Sequence, residues 1–169
     1  MVTVTAETSL SSSLGDAWTA LGRRATYFYF PGIRPDAGTT RGALSHELDL
    51  PIVDRQAQTA TLTVSRAGKN GRSERRFTMR GPLVTIAGRW RLEPGPEGVR
   101  VHLTLDYDIA PPLKALAVNT LRSRSPLPIR TDADAIVSRA VDEFFETRFT
   151  EHAVAYCERL RARLGGSSA

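Results

Sequence analysis

With 169 residues, 41% of them hydrophobic and 24% charged, the chain has the length and balance of one globular domain, and nothing in it approaches the roughly 18 consecutive apolar residues of a membrane span. The net charge of +5 comes almost wholly from arginine, Lys69 and Lys114 being the only lysines, and the arginines are scattered rather than gathered with aromatics into a stripe, which argues against a nucleic-acid partner. The single Cys157 excludes an internal disulfide, and Met1–Ser12 has neither the basic nor the apolar part of a secretory signal, so a cytoplasmic protein is expected. The arginine bias fits a GC-rich bacterial genome.

Val2–Ser9 alternates and predicts a first strand. Ser13-Leu14-Gly15-Asp16 fits a capping box, and Leu14, Ala17, Trp18 and Leu21 fall at helical spacing, predicting a helix to about Arg24. Thr26–Pro35 holds Tyr27, Phe28, Tyr29, Phe30 and two prolines, a connector with room for one helical turn; Gly38–Gly42 is loop.

Five further strands follow. Ala43–Leu50 places Leu44, His46, Leu48 and Leu50 on one face, and Gln58–Arg66 does so with Ala60, Leu62 and Val64. Lys69-Asn70-Gly71 is a hairpin signal of the type I′ kind. Ser73–Arg80 aligns Arg75, Phe77 and Met79, and Leu83–Leu92 aligns Val84, Ile86, Gly88 and Trp90. In Val99–Ile109 an apolar face ending in Tyr107 and Ile109 alternates with polar residues, a strand wet on one side.

After Pro111-Pro112, the spacing of Leu113, Leu116, Ala117 and Leu121 predicts a short helix over 113–122. A loop through Pro126 and Pro128 follows, and an acid-rich box at Thr131–Asp134 opens a long amphipathic helix from Asp134 to Leu164. Its apolar stripe runs through Val137, Val141, Phe144, Phe145, Phe149, Tyr156 and Leu160. The expected organisation is one domain over 1–164 and a disordered tail over 165–169.

This order of elements, with Ala17-Trp18 in the capped Ser13–Leu21 helix, resembles the helix-grip proteins: the START and Bet v 1-like superfamily that includes bacterial polyketide cyclases/dehydrases and lipid-transport proteins. The resemblance implies an α+β fold in which a curved six- or seven-stranded antiparallel sheet wraps the C-terminal helix and encloses a hydrophobic cavity. It implies a polyketide cyclase/aromatase-like enzyme that binds a hydrophobic, carbonyl-bearing molecule and promotes cyclisation or dehydration, or, alternatively, a non-catalytic carrier or sensor of a lipid, quinone or polyketide. The chain departs from the family in the extra helix before the last one, which could act as a lid, and in lacking a Trp-x-Trp strand feature.

His46, on an apolar strand face, is the first candidate for acid–base chemistry, and equally fits a core histidine bonded to the backbone. Tyr107 is the second candidate, able to hydrogen-bond a ligand carbonyl or to sit at a wet rim. Phe77, Met79, Trp90 and Phe144 line a pocket or fill a core; in the family the connector forms the cavity mouth, which points to Tyr29 or Phe30. Arg66 and Arg75 share faces with apolar residues, where either could meet a carboxylate or enolate or reach solvent at a strand end. Arg148 and His152 flank the long helix's stripe. No phosphate loop, dinucleotide fingerprint or metal-ligand spacing is present, so no cofactor or metal is expected. The expected partner is a hydrophobic small molecule, without nucleic acid or membrane contact, for a monomer or homodimer.

Overall fold

The computed structural model describes residues 1–35, 43–65, 74–124 and 133–165. Strands β1 (Val2–Leu10), β2 (Ile33–Pro35), β3 (Ala43–Leu50), β4 (Asp54–Val64), β5 (Glu74–Arg80), β6 (Val84–Gly95) and β7 (Gly98–Ile109) form one antiparallel sheet in the order β1-β7-β6-β5-β4-β3-β2. Helix α1 (Leu14–Leu21) and a 3₁₀ turn (Arg24–Tyr29) separate β1 from β2, while α2 (Pro111–Arg124) and α3 (Ala133–Leu164) close the chain. The sheet curls about α3, which packs against β1, β7 and the 3₁₀ turn: an α+β helix-grip fold.

The local signals explain most of this. Ser13 caps α1, its hydroxyl oxygen accepting from the Asp16 amide at 3.1 Å and donating back to the Asp16 carboxylate at 2.6 Å. The helix stops at Leu21, short of Arg24, because Gly22 ends it and the aromatic connector winds on as the 3₁₀ turn. The connector also supplies β2, a strand absent from the sequence expectation. Three residues ending in proline make a poor strand signal, and only at the sheet edge is such a strand tolerated. Ala43–Leu50 is a strand over the expected residues; β4 begins earlier than expected, at Asp54, and β6 runs on to Gly95. The Lys69–Gly71 turn, the loop around Pro126 and Pro128 and the tail from Gly166 lie outside the described residues. No described helix is long and apolar enough to cross a membrane.

Alternation delivers Ile86, Trp90, Val101, Leu103, Leu105 and Tyr107 to the inner face, where they meet Phe145, Phe149, Tyr156 and Leu160 of α3; all are fully buried. Trp18, by contrast, is only partly buried. The Arg75 guanidinium lies 4.1 Å over its ring, donates to the Ser65 carbonyl at 2.9 Å and sits beside Gly22 at the C-terminal, electronegative end of α1. Arg75 is therefore a buried clamp between α1 and β5 rather than a group reaching solvent.

One close approach shapes the inner face. Gly88 faces Phe77 across β5 and β6, and a Cβ there would lie 2.0 Å from the ring's Cζ. Gly88→Ala should force the ring off its rotamer and destabilise the fold by about 1–3 kcal/mol, read as a lowered midpoint in chemical denaturation with an unchanged m-value.

Candidate functional site

The inner face carries few polar groups, and they gather toward one region. β4 pairs with β5 only from Thr61 to Val64, which leaves its first half without a partner on that side. The Gln58 side chain fills the place of the absent backbone. Its Oε1 accepts from the Leu83 and Val84 amides at 2.9 and 3.1 Å, and its Nε2 donates to the Val84 carbonyl at 3.0 Å. The same Nε2 lies 3.1 Å from Nδ1 of His46, the residue directly opposite on β3. His46 is 1% exposed, and its other nitrogen, Nε2, has no partner among the described residues.

A row of rings leads on from His46. Phe30 lies edge-on to His46 at 6.2 Å between centroids and to His152 of α3 at 6.4 Å. His152 is 6.4 Å from Phe149, and Phe149 stacks on Tyr107 at 3.9 Å with the rings 2° from parallel. Two further atoms in this row are buried without partners among the described residues: the Tyr107 hydroxyl and His152 Nδ1. An unpaired buried polar group costs about 1–3 kcal/mol, so three in one region is a concentration of unfavourable terms.

Desolvation sets the charge state of each. Burial, with the neighbouring His152 adding to it, lowers the His46 pKa to about 4. Burial and then the Arg148 cation lower that of His152 to about 4, against an opposing pull from Asp49 and Glu151. Burial pushes the Tyr107 phenol well above its ordinary range. Near neutral pH the region therefore holds two neutral imidazoles and a neutral phenol.

His152 also lines a surface cleft of about 410 Å³ between β2, the end of β3 and α3. Arg148 spans this cleft: Nε donates to the Asp49 carbonyl at 3.0 Å, Nη2 to the Asp49 carboxylate at 2.8 Å and Nη1 to Glu151 at 2.7 Å. Expected as a ligand contact, Arg148 is engaged in bonds of the chain itself. A larger depression, about 800 Å³, lies on the outer face of the sheet. Its side chains pair with one another (Arg91 with Glu93 at 3.0 Å, His102 with Glu7 at 3.2 Å), and it reaches none of the inner groups.

Of the residues singled out from the sequence, His46, Tyr107, Phe30, Phe77, Met79 and Trp90 are all buried on the inner side. Tyr29 and Phe144 are half-buried, and the Tyr29 carbonyl accepts from Arg159 at 3.2 Å. Arg66 lies outside the described residues. Trp90, Phe77 and Tyr27 pack together rather than facing open space, and Tyr27 donates to the Leu21 carbonyl at 2.8 Å. Sequence reasoning passed over Gln58, although it shares strand parity with Ala60, Leu62 and Val64; a polar residue on an apolar face was the available signal. It also set His152 on a solvated flank, whereas 152 follows 145 and 149 at helical spacing and is 7% exposed. Among the described residues no three His, Cys, Asp or Glu side chains converge to hold a metal, and burial pushes the Cys157 thiol up to about 12, far from a thiolate.

The two histidines should make stability depend on pH. Folded, each is neutral down to about 4; unfolded, each takes up its proton near the ordinary value of about 6.5. Between those values the unfolded state binds more protons, so stability is complete above the window and falls as pH drops through it. The expected loss at about pH 5 relative to about pH 7 is on the order of 2 kcal/mol per histidine. His152→Gln should remove about half of it in paired denaturant melts, and equal stability at the two pH values would show both imidazoles titrating freely.

No family model matches the chain, and no curated protein matches it either. Solved structures do. The protein TTHA0849 of Thermus thermophilus superposes with a TM-score of 0.54 at 15% identity, over 98% of this chain and 99% of that one. The KanY protein superposes at 0.52 and 13% identity, over 98% of both chains. A START superfamily protein from Mycobacterium smegmatis matches more loosely, at 0.45 and 12% identity, over 89% of this chain and 96% of that one. Near-complete coverage in both directions, at this level of identity, is a statement about architecture: this chain has the helix-grip fold of the START and Bet v 1-like proteins.

Proposed function

We propose that this protein binds a hydrophobic small molecule bearing a carbonyl group between its sheet and α3, and that Tyr107, His46 and His152 meet the polar part of that molecule. One observation carries the reading: three buried polar atoms without partners gather in an interior that is otherwise apolar. Ligand sites have this composition, mostly apolar with a few placed polar groups. Protein partners would remove the cost of leaving these atoms unpaired, and so would a ligand oxygen. Room for the ligand comes from the Tyr107–Phe149 pair. A 3.9 Å face-to-face stack is closer than the offset or edge-on arrangements that aromatic pairs prefer, so the two rings part at little cost. The cleft at His152 offers the way in.

A second reading, an enzyme of polyketide-cyclase type, is favoured by the two neighbouring imidazoles that stay neutral near neutral pH. A neutral imidazole can accept a proton from an acidic carbon between two carbonyls, and a buried phenol can stabilise the enolate that forms.

Native mass spectrometry of the protein purified without denaturation should show a retained hydrophobic adduct. Titration with 2-undecanone should then give saturable binding that Tyr107→Phe weakens about 5–10-fold while undecane binding is unchanged, the size of one hydrogen bond. If neither an adduct nor 2-undecanone binding is found, the proposal fails. Cyclisation of a poly-ketone that His152→Gln abolishes would establish the enzyme reading.

A further inference from the structure

We infer that Gln58 is a positioning residue that fixes the proton of His46 on Nε2, and thereby makes the inner site a hydrogen-bond donor that selects ligands presenting an acceptor oxygen. The ligand half of this rests on the binding site proposed above; the tautomer stands on the hydrogen-bond network alone.

Gln58 Oε1 receives two backbone N–H groups, from Leu83 and Val84. An amide nitrogen cannot occupy that position, because it would face two donors with no lone pair to offer. The side chain therefore has one orientation, and its two N–H bonds point at the Val84 carbonyl and at His46 Nδ1. Nδ1 must accept, so it carries no proton, and a neutral imidazole then holds its proton on Nε2. That N–H is buried and unpartnered among the described residues. Gly81 closes the remaining side of the amide: a Cβ at position 81 would lie 2.3 Å from Gln58 Oε1 and 2.7 Å from its Nε2.

The inner nitrogen of His46 is thus a donor. It has no lone pair with which to abstract a proton from a ligand, and this replaces the role of general base expected from the sequence. A ketone, a quinone oxygen or a developing enolate oxygen satisfies it; an alkane leaves it unpaired. Any proton abstraction in this region falls to His152.

The tautomer is read directly from long-range proton–nitrogen spectra of nitrogen-15-labelled protein at neutral pH. Nδ1 of His46 should show the shift of a bare, pyridine-type nitrogen and Nε2 that of a protonated, pyrrole-type one; a protonated Nδ1 in the wild type overturns the inference. In Gln58→Glu a carboxylate oxygen faces Nδ1 and calls for a donor, so the pattern should invert. Should the carboxylate, set against the Val84 carbonyl, prevent folding, Gln58→Met removes the lock without charge and should give a mixture of both tautomers; retention of the wild-type pattern in whichever variant folds overturns the role of Gln58. Selectivity is measured by titrating 2-undecanone and 2-undecanol, which share a chain and differ at one oxygen. The wild type should bind the ketone at least as tightly as the alcohol, and Gln58→Glu should move the ratio about tenfold toward the alcohol, which can donate to the bare nitrogen. An inverted tautomer with an unchanged ratio overturns the selectivity. A wild type that binds neither probe overturns the binding site while the tautomer result stands.

Discussion

A single side-chain amide does the work of a missing strand segment, and much of the interior follows from it. Where β4 parts from β5, the sheet would leave the backbone of Leu83 and Val84 unpaired inside the protein, at a cost of a few kcal/mol. Gln58 answers both amides and one carbonyl with the one side chain whose terminal group is a peptide bond in miniature. This fixes the start of β6, and with it the register that sends Ile86, Gly88 and Trp90 inward. It also leaves one N–H over, and that N–H goes to His46. The sheet's closure and the state of the histidine are two results of one constraint.

The rest of the interior balances ring packing against polar groups that lack partners. Edge-on and tilted aromatic contacts join Phe30, Tyr156, Trp90, Phe77 and Tyr27 into one mass, the arrangement expected where the ring quadrupoles are left to choose. The Tyr107–Phe149 stack is the exception, and it sits beside the unpaired hydroxyl. Burial that stabilises the rings also strips water from His46, His152 and Tyr107 and holds them neutral. Packing and charge state are therefore coupled: whatever loosens the rings also readmits water to the imidazoles.

Much of the fold could be read from alternation and capping. Val99–Ile109 and Ala43–Leu50 are strands because each keeps strict parity for its whole length, and the Ser13 box marks the start of α1 as written. Failures came where tertiary context overrides local pattern. A three-residue edge strand with a proline has no period to detect, so β2 was invisible. The candidate residues were placed inward by parity, which is why His46 and Tyr107 were found. Gln58 and His152 were missed because polarity was taken as a sign of solvent, though parity on β4 and spacing on α3 both pointed inward. Arg148 and Arg75 show the converse: a cation beside apolar residues suggested a ligand, and the chain's own carbonyls, its Asp49 and Glu151 carboxylates and a tryptophan face satisfy them. Which atoms answer an arginine depends on residues 99 positions away in sequence, and no local pattern encodes that.

Arg148 has a bearing on how copies of the chain behave toward one another. β2 pairs with β3 only as far as His46, and one more backbone bond joins Glu47 to Gly32. Beyond that, among the described residues, no strand lies on that side of Asp49 and Leu50. An unguarded strand edge is a template on which a second molecule can build, the first step toward a shared sheet. Here the Asp49 carbonyl that a foreign amide would seek is held by Arg148, and the charges of Glu47, Asp49 and Glu151 crowd the approach. The bond that ties the long helix to the sheet thus also keeps the protein's open edge from recruiting its neighbours.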